Sequence, residues 1–121
     1  QNTRPDEGGV FVDLFGVPVP MTKTVAALAS HTGSAIVFPY CISDGHGGYL
    51  AFAEPPLPVA GLAEEQVTQA IANVLEQVVR KHPAHWLWFY MRWKFIPAGV
   101  PADRYPFYAR RMKGDKTEEE P

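Results

Sequence analysis

The sequence predicts an α/β domain in which helices cover a mixed sheet. Two short apolar runs rich in β-branched and aromatic residues, at 9–15 and 34–41, are typical of buried strands. A glycine-rich turn at 43–48 leads into a further apolar run, which would pair back as a hairpin. Apolar residues then recur at helical spacing over 63–82. Strand-like runs that alternate with helical runs indicate a layered α/β architecture, and 121 residues make one ordinary domain.

The first half of the chain is predicted as a strand, a loop and a helix. Apolar side chains occupy both faces of the run at 9–15, which indicates a covered strand. Residues 16–20 contain two prolines, which cannot donate to a sheet ladder, and predict a loop. Thr22 can cap a helix over 23–31, and Gly33 would end it. The predicted inner face of this helix consists of Val25, Leu28 and Ala29.

The second half supplies two strands and the clearest helix. Pro39 places the run at 34–41 at a strand end or a sheet edge, and residues 49–54 would form its hairpin partner. Glu64 and Glu65 in the first turn of the long helix, and Arg80 and Lys81 in its last, suit the helix dipole. Strands that are apolar on both faces predict a larger α/β unit than this chain supplies.

The domain boundaries follow from composition. Residues 1–8 are polar and predict a loose N-terminal segment, and residues 9–105 carry the predicted domain. Residues 106–121 form a tail that is first basic and then acidic, and its end is predicted to be disordered.

Positive charge is concentrated in the C-terminal third. The formal net charge of the whole chain is −2, so the protein is not a polycation that seeks nucleic acid. Nine of the eleven Lys and Arg residues nevertheless lie between Arg80 and Lys116, where only Asp103 and Asp115 oppose them, which leaves a net +7. One end of the molecule should therefore attract anions.

Residues 86–95, WLWFYMRWKF, contain all three tryptophans of the chain. One interpretation is a core-filling element, with Leu87, Phe89, Met91 and Trp93 packed against the long helix. That interpretation does not explain Arg92 and Lys94. Cations beside an apolar wall would form a rim for an amphiphile that has an acyl chain and a charged head.

No residue pattern for metal binding or nucleophilic catalysis is present. Cys41 is the single cysteine, so no disulfide forms within the chain. The four histidines, His31, His46, His82 and His85, make no metal-ligand cluster with it. The chain has neither a GxSxG motif nor a glycine-rich loop before a helix, and so we predict no metal site.

Four collinear blocks resemble one family. VFVDLFG followed by MTKT, SAIVFPYC, GGYLAFAEPPLP and HPAHWLWFYMRWKFIPAGVP are similar, in this order, to blocks of the bacterial lipid A biosynthesis acyltransferases. This is the lauroyl/myristoyl transferase group of the lysophospholipid acyltransferase superfamily. The last block matches the closing signature of that family at Pro83, Trp86, Trp88, Arg92, Trp93, Lys94, Pro97, Gly99 and Pro101. Tyr90-Met91 replaces the His-Arg pair that is usual there.

The resemblance implies part of a glycerolipid-acyltransferase-like fold without its general base. The catalytic motif of the family is a histidine followed, after four residues, by Asp or Glu. The residues at that place after the four histidines are Ile36, Ala51, Leu87 and Tyr90. We therefore expect the C-terminal portion of such an enzyme, inactive by itself, with the motif and a membrane-anchoring segment on preceding polypeptide. The chain opens on Gln1, in keeping with a processed or truncated product.

The function that the resemblance implies is acyl transfer from acyl carrier protein to a hydroxyl of a phosphorylated glycolipid, typically a lipid A precursor. No metal or bound cofactor is implied. The parent enzyme would act at the cytoplasmic face of the inner membrane, on the membrane surface, whereas the fragment itself would be soluble. Arg92 and Lys94, with Trp93 beside them, are the expected contacts to an anionic headgroup or to the carrier. Thr22 and Lys23 are second candidates.

Two other classes of function stay open. The chain could be a free-standing module that binds anionic lipid or acyl carrier protein, or a protein-interaction domain whose aromatic residues pack internally. If the chain is a fragment, its open sheet edge and uncovered apolar faces predict self-association.

Overall fold

The structure is a computed structural model that describes residues 8–112. Helices pack against strands, and the α/β class is confirmed at this coarse level. Short 3₁₀ turns at Pro83–His85 and Ala102–Arg104 complete the regular structure. The elements in chain order are β1 (Gly9–Leu14), β2 (Val17–Thr22), α1 (Thr24–Thr32), β3 (Pro39–Ser43), β4 (Tyr49–Ala53), α2 (Glu64–Lys81), β5 (Phe95–Ile96) and β6 (Arg110–Arg111).

The predicted single mixed sheet is wrong for the described residues. Strands β1 and β2 form an antiparallel hairpin, β3 and β4 form a second, and β5 pairs with β6 in parallel. Each edge of the first hairpin is partly blocked against a further strand. On β1, the side chain of Gln69 forms hydrogen bonds with both the backbone N–H and the C=O of Asp13. On β2, Pro18 and Pro20 have no N–H to offer a further strand.

The prediction of a loop at residues 16–20 is also wrong, because β2 begins at Val17. A two-residue turn makes Leu14 and Val17 a hydrogen-bonded pair, and pairs then alternate along an antiparallel ladder. Pro18 and Pro20 therefore occupy positions whose backbone groups point away from β1, where a missing N–H costs no ladder hydrogen bond. The hydroxyl of Tyr105 donates to the outward carbonyl of Pro18 at 2.8 Å.

Helix α2 lies between two hydrophobic clusters, as its predicted amphipathic pattern requires. On one side Ala72 packs with Val12, Leu14 and Val19 of the first hairpin. On the other side Val67 packs with residues of α1 and of the segments that flank the second hairpin, namely Ala26, Ile36 and Leu57. The predicted helix at 63–82 is confirmed, with its acidic first turn and basic last turn.

The predicted inner face of α1 is confirmed at Ala29 and wrong at Val25 and Leu28. Val25 and Leu28 are exposed, whereas Ala26 is buried against α2 with Ala29 half-buried beside it. Helix α1 packs through its alanines against Val67 and its neighbours on α2, which leaves the larger side chains of α1 outside. Gly33 ends α1 in the left-handed conformation at φ 69°, as predicted.

The second hairpin is confirmed, with its first strand shifted. Strand β3 begins at Pro39, not at residue 34, and the preceding extended segment bonds to the connector after β4 through Leu57 N–H to Ile36 O at 2.9 Å. The Asp44 carboxylate closes the turn by accepting the N–H groups of His46 and Gly48.

The predicted segments at the two ends lie mostly outside the described residues. Residues 1–7 and 113–121 belong to this part, and the tail predicted to be disordered falls wholly in it. Within residues 8–112, no helix is long and apolar enough to cross a bilayer.

Candidate functional site

The turn between β1 and β2 places the side chain of Phe15 near two tryptophans, Trp88 and Trp93. Phe15 has φ 55° and Gly16 φ 76°, the two left-handed positions of a type I′ turn. A bulky side chain is rarely found in this conformation, which costs roughly 1–2 kcal/mol. The Glu76 carboxylate accepts the N–H of Phe15 at 2.7 Å, and the Arg104 guanidinium donates to the carbonyl of Gly16.

The side chain of Phe15 forms part of an open aromatic cavity. Its ring centroid lies 6.4 Å from that of Trp88 and 6.2 Å from that of Trp93. The guanidinium carbon of Arg80 lies 5.1 Å from the same centroid, within the range of a cation–π contact. The cavity has a volume of about 410 Å³ and is lined by Phe15, Val79, Arg80, Pro83 and Trp88.

Glu76 was not among the residues that the sequence indicated, yet it organises this turn. The Phe15 N–H, and after it the Arg80 guanidinium, hold the pKa of Glu76 below its ordinary value of 4.5. The Arg80 contact is a forked one, with Nε and Nη2 at 3.0 and 2.8 Å from the same carboxylate oxygen. The carboxylate therefore links the end of α2 to the strained turn.

We expect Glu76→Gln to lower the free energy of unfolding by about 1 kcal/mol at neutral pH, because hydrogen bonds to a charged acceptor become neutral ones. A lowered pKa in the folded state stabilises the protein above the unfolded pKa, and this contribution is lost as pH falls through the folded pKa. Urea unfolding from neutral pH to below 4.5 should show the two proteins converging in acid. If the difference in unfolding free energy between the two proteins were the same at every pH, the charge of Glu76 would not contribute to stability.

Arg92 and Lys94 do not form one rim. Lys94 is exposed, with Nζ 5.8 Å from the ring centroid of Phe95. Arg92 is 8% exposed, and its Nε has no hydrogen-bond partner within residues 8–112. Burial lowers the pKa of Arg92, and Tyr90 partly offsets this effect. The role of both residues in headgroup binding stays a prediction.

Trp93 is the one residue of the predicted core-filling set that reaches the core. It packs against the cluster of Val12, Leu14 and Val19, and its indole N–H is buried without a partner among the described residues. Leu87, Phe89 and Met91 are exposed instead. Arg92 and Trp93, which are adjacent in the chain, thus each bury a donor without a partner among the described residues. A buried unsatisfied donor is unfavourable, so a hydrogen bond from either donor to an incoming acceptor would be favourable.

Thr22 and Lys23 lie at the other end of the first hairpin. Lys23 Nζ is 3.1 Å from Glu65 and 3.4 Å from Glu64, and the hydrogen bond to Glu65 is the main reason that the pKa of Lys23 is raised. Thr22 Oγ1 accepts the N–H of Thr24, while Lys23 takes the N-cap position of α1. The prediction that Thr22 caps α1 is therefore wrong, because Lys23 is the N-cap residue and its side chain makes no capping hydrogen bond within the described residues.

The five predicted site residues are therefore not brought together. Trp93 packs at the turn end of β2, near Phe15, whereas Thr22 ends that strand. Five residue steps along a strand separate the two ends by about 17 Å. In the described part of the chain, no three His, Cys, Asp or Glu side chains lie close enough to hold a metal ion.

Comparison with known proteins identifies the class of this chain. The family model described as bacterial lipid A biosynthesis acyltransferase matches residues 2–95. The phosphatidylinositol mannoside acyltransferases of Mycobacterium tuberculosis strains CDC 1551 / Oshkosh and ATCC 25618 / H37Rv are each 35% identical over 86 residues. That alignment covers 70% of this chain and 27% of each relative.

These matches define the class as acyltransferase. The chain belongs to the bacterial lipid A biosynthesis acyltransferase family, and the resemblance seen in the four sequence blocks is confirmed. It spans about a quarter of the length of the curated relatives that it matches. Residues 96–112 lie beyond the part that the family model matches.

Proposed function

We propose that this chain is part of an acyltransferase that moves a fatty acyl group from acyl carrier protein to a hydroxyl of a phosphate-bearing glycolipid. The match of residues 2–95 to the family carries this proposal. The family description names lipid A biosynthesis, and the mycobacterial relatives act, by their name, on phosphatidylinositol mannoside. A sugar hydroxyl near a phosphate is common to both kinds of acceptor, so we propose that shared chemistry rather than a lipid A precursor alone.

Lys94 and Arg92 are the proposed contacts to the anionic headgroup. Lys94 offers an exposed ammonium, which binds phosphate oxygens as a compact charge. Arg92 holds a guanidinium whose Nε is unsatisfied within residues 8–112. A buried cation without an anion is costly, so a phosphate oxygen that reaches it would remove that cost. Trp93 adds an unsatisfied indole N–H next to it in the chain.

Access to Arg92 requires the loop before it to move. Residues 86–92 are held by turn hydrogen bonds, such as Tyr90 N–H to Leu87 O at 3.1 Å and Arg92 N–H to Tyr90 O at 2.7 Å. Segments of this kind open at low cost compared with helices. Thr22 and Lys23 stay secondary candidates, because Glu64 and Glu65 already neutralise Lys23.

Acyl transfer needs a general base. In this family the base is expected in the motif of a histidine followed, after four residues, by Asp or Glu, and this chain does not contain that motif. A histidine would deprotonate the acceptor hydroxyl, and a carboxylate would orient the imidazole. The hydroxyl oxygen would then attack the thioester carbonyl, the carbon–sulfur bond would break, and the carrier would leave as a thiol with the proton that the histidine returns. We propose that this chain alone is inactive, that the whole enzyme has a glycerolipid-acyltransferase-like fold, and that it works at the cytoplasmic face of the inner membrane. We also propose that the isolated chain self-associates through the exposed apolar residues of β3 and β4.

A second candidate is a module that binds anionic lipid or acyl carrier protein without transfer. The observation that favours it is an apolar cavity of about 220 Å³ between β3 and the end of α2. Its walls include Phe38, Ile42, Leu75 and Val78, with His82 and Trp86 at one side. Such a cavity fits one end of an apolar chain.

We expect Lys94→Gln to weaken binding of a water-soluble, phosphorylated glycolipid headgroup about tenfold, because one charge-assisted hydrogen bond is lost. Isothermal titration measures this effect, with Lys81→Gln as the control at an exposed lysine outside the proposed site. Equal affinities of both variants and the wild type would remove Lys94 from the site.

The same preparations test the reaction. With acyl-carrier thioester and either acceptor, the chain should give no transfer above the rate without protein. Turnover would contradict the claim that the base lies outside this chain. Binding of the headgroup without turnover, even in the complete enzyme, would favour the second candidate.

A further inference from the structure

Two loops in the C-terminal third each present a phenylalanine to solvent. Phe89 is 93% exposed and Phe107 is 100% exposed, and we call these two residues the aromatic tips. Leu87 beside Phe89 is also exposed. Apart from an edge contact between the rings of Phe107 and Tyr108, whose centroids are 5.7 Å apart, side chains this exposed contribute little packing to the fold, whereas their removal from water would be favourable. The aromatic tips therefore need an explanation outside the folding of this chain.

The two loops lead into neighbouring strands of one short ladder. Strands β5 and β6 are parallel, with Phe95 opposite Arg110, and the N–H of Arg110 donates to the carbonyl of Lys94 at 2.9 Å. Each aromatic tip precedes its strand, Phe89 by six residues and Phe107 by three. Because parallel strands run in one direction, the loops that lead into them leave from the same end of the ladder.

Positively charged side chains follow both aromatic tips in the sequence. Lys94 and Arg110 are exposed where the two strands begin. Residues 80–112 contain seven cations and one acid, Asp103. The cations are Arg80, Lys81, Arg92, Lys94, Arg104, Arg110 and Arg111. Arg80 is paired with Glu76, and Arg92 is buried, so the other five cations supply the surface charge. The charge of this region thus complements an anionic surface.

We propose that the aromatic tips insert into an anionic lipid bilayer while Lys94 and Arg110 contact its phosphates. A folded protein partner would need a surface shaped to receive two separate phenyl groups. A bilayer accepts protruding apolar side chains without shape complementarity, and it supplies phosphate at the level of the flanking cations. This inference rests on the membrane association in the proposed function, and it names the surface responsible.

Cosedimentation of the 121-residue chain with vesicles tests this docking surface. We expect binding to phosphatidylcholine vesicles that contain phosphatidylglycerol, and much weaker binding to phosphatidylcholine alone or at high salt. Phe89→Ser and Phe107→Ser should each lower the partition coefficient about tenfold, and the double variant about a hundredfold. Leu28→Ser is the control, since Leu28 is 63% exposed on α1, outside every proposed binding surface, and its substitution should leave binding unchanged.

The outcomes separate the surface from the wider proposal. If the double variant binds as well as the wild type, the aromatic tips do not dock and this inference is wrong, while membrane association stands. If the wild type binds no vesicles, membrane association fails too, whereas headgroup binding through Lys94 is tested without a bilayer. If sedimentation without lipid shows that the aromatic tips hold two copies together, their partner is a second chain and the inference is overturned.

Discussion

Leu14→Ala is expected to lower the free energy of unfolding by about 2–5 kcal/mol. Leu14 is 0% exposed and packs in the cluster of Val12, Val19 and Ala72 that joins the first hairpin to α2. The space that alanine leaves should not close, because Gln69 and Glu76 hold the backbone of β1 and its turn at fixed positions. For a chain of this size the melting temperature should fall by roughly 10 °C.

Chemical denaturation followed by circular dichroism measures this loss, and the chain offers a matched control. Leu28→Ala removes the same atoms from a side chain that is 63% exposed on α1, and it should change stability by less than about 0.5 kcal/mol. Similar losses in both variants would show that the cluster between the hairpin and α2 does not form the core described above.

Arg92→Met is expected to stabilise the isolated chain by about 1–3 kcal/mol. The guanidinium is buried, and its Nε has no acceptor within residues 8–112, so an apolar side chain of similar length removes a desolvation cost without leaving a partner exposed. In the complete enzyme the same substitution should weaken headgroup binding, because the proposed anion contact disappears. Stability and function should therefore change in opposite directions at this residue.

Two further variants show whether the gain in stability comes from removing a charge and whether it depends on the burial of that charge. Arg92→Lys keeps the charge and should not stabilise, and Lys94→Met, at an exposed lysine two residues later, should alter stability little. Thermal unfolding of the isolated chain gives the comparison. A clear loss of stability in Arg92→Met would mean that the guanidinium is already neutralised, and the buried donor would then need no substrate anion.

The long helix and the turn at 43–48 could be predicted from local patterns, whereas the arrangement of the strands could not. The apolar spacing of α2 and the Asp44-Gly45 turn each have a cause within a few residues. Two prolines at this spacing usually indicate a loop, but Pro18 and Pro20 alternate along β2 with the residues that form hydrogen bonds to β1. Only pairing with β1, which places their missing donors outward, makes this segment a strand.

The burial of single side chains depended on packing that no local pattern contains. Leu28 has the size of a core residue, yet Ala26 is buried instead, because α1 packs on α2 through its alanines. Arg92 and Lys94 lie two residues apart and differ in exposure, and no periodic pattern in the sequence predicts which of the two is buried. Gln69 and Glu76 read as ordinary polar positions of a helix, because their partners are backbone groups more than fifty residues away.

The contacts of Gln69 and Glu76 with main-chain atoms have an evolutionary consequence. A helix that holds a hairpin by its peptide groups does not depend on which side chains the strand carries at those points. Exchanging the side chain of Asp13 or Phe15 therefore leaves these hydrogen bonds in place, whereas exchanging Gln69 or Glu76 removes them. We expect selection to keep the two helical positions more strictly than the side chains at residues 13 and 15.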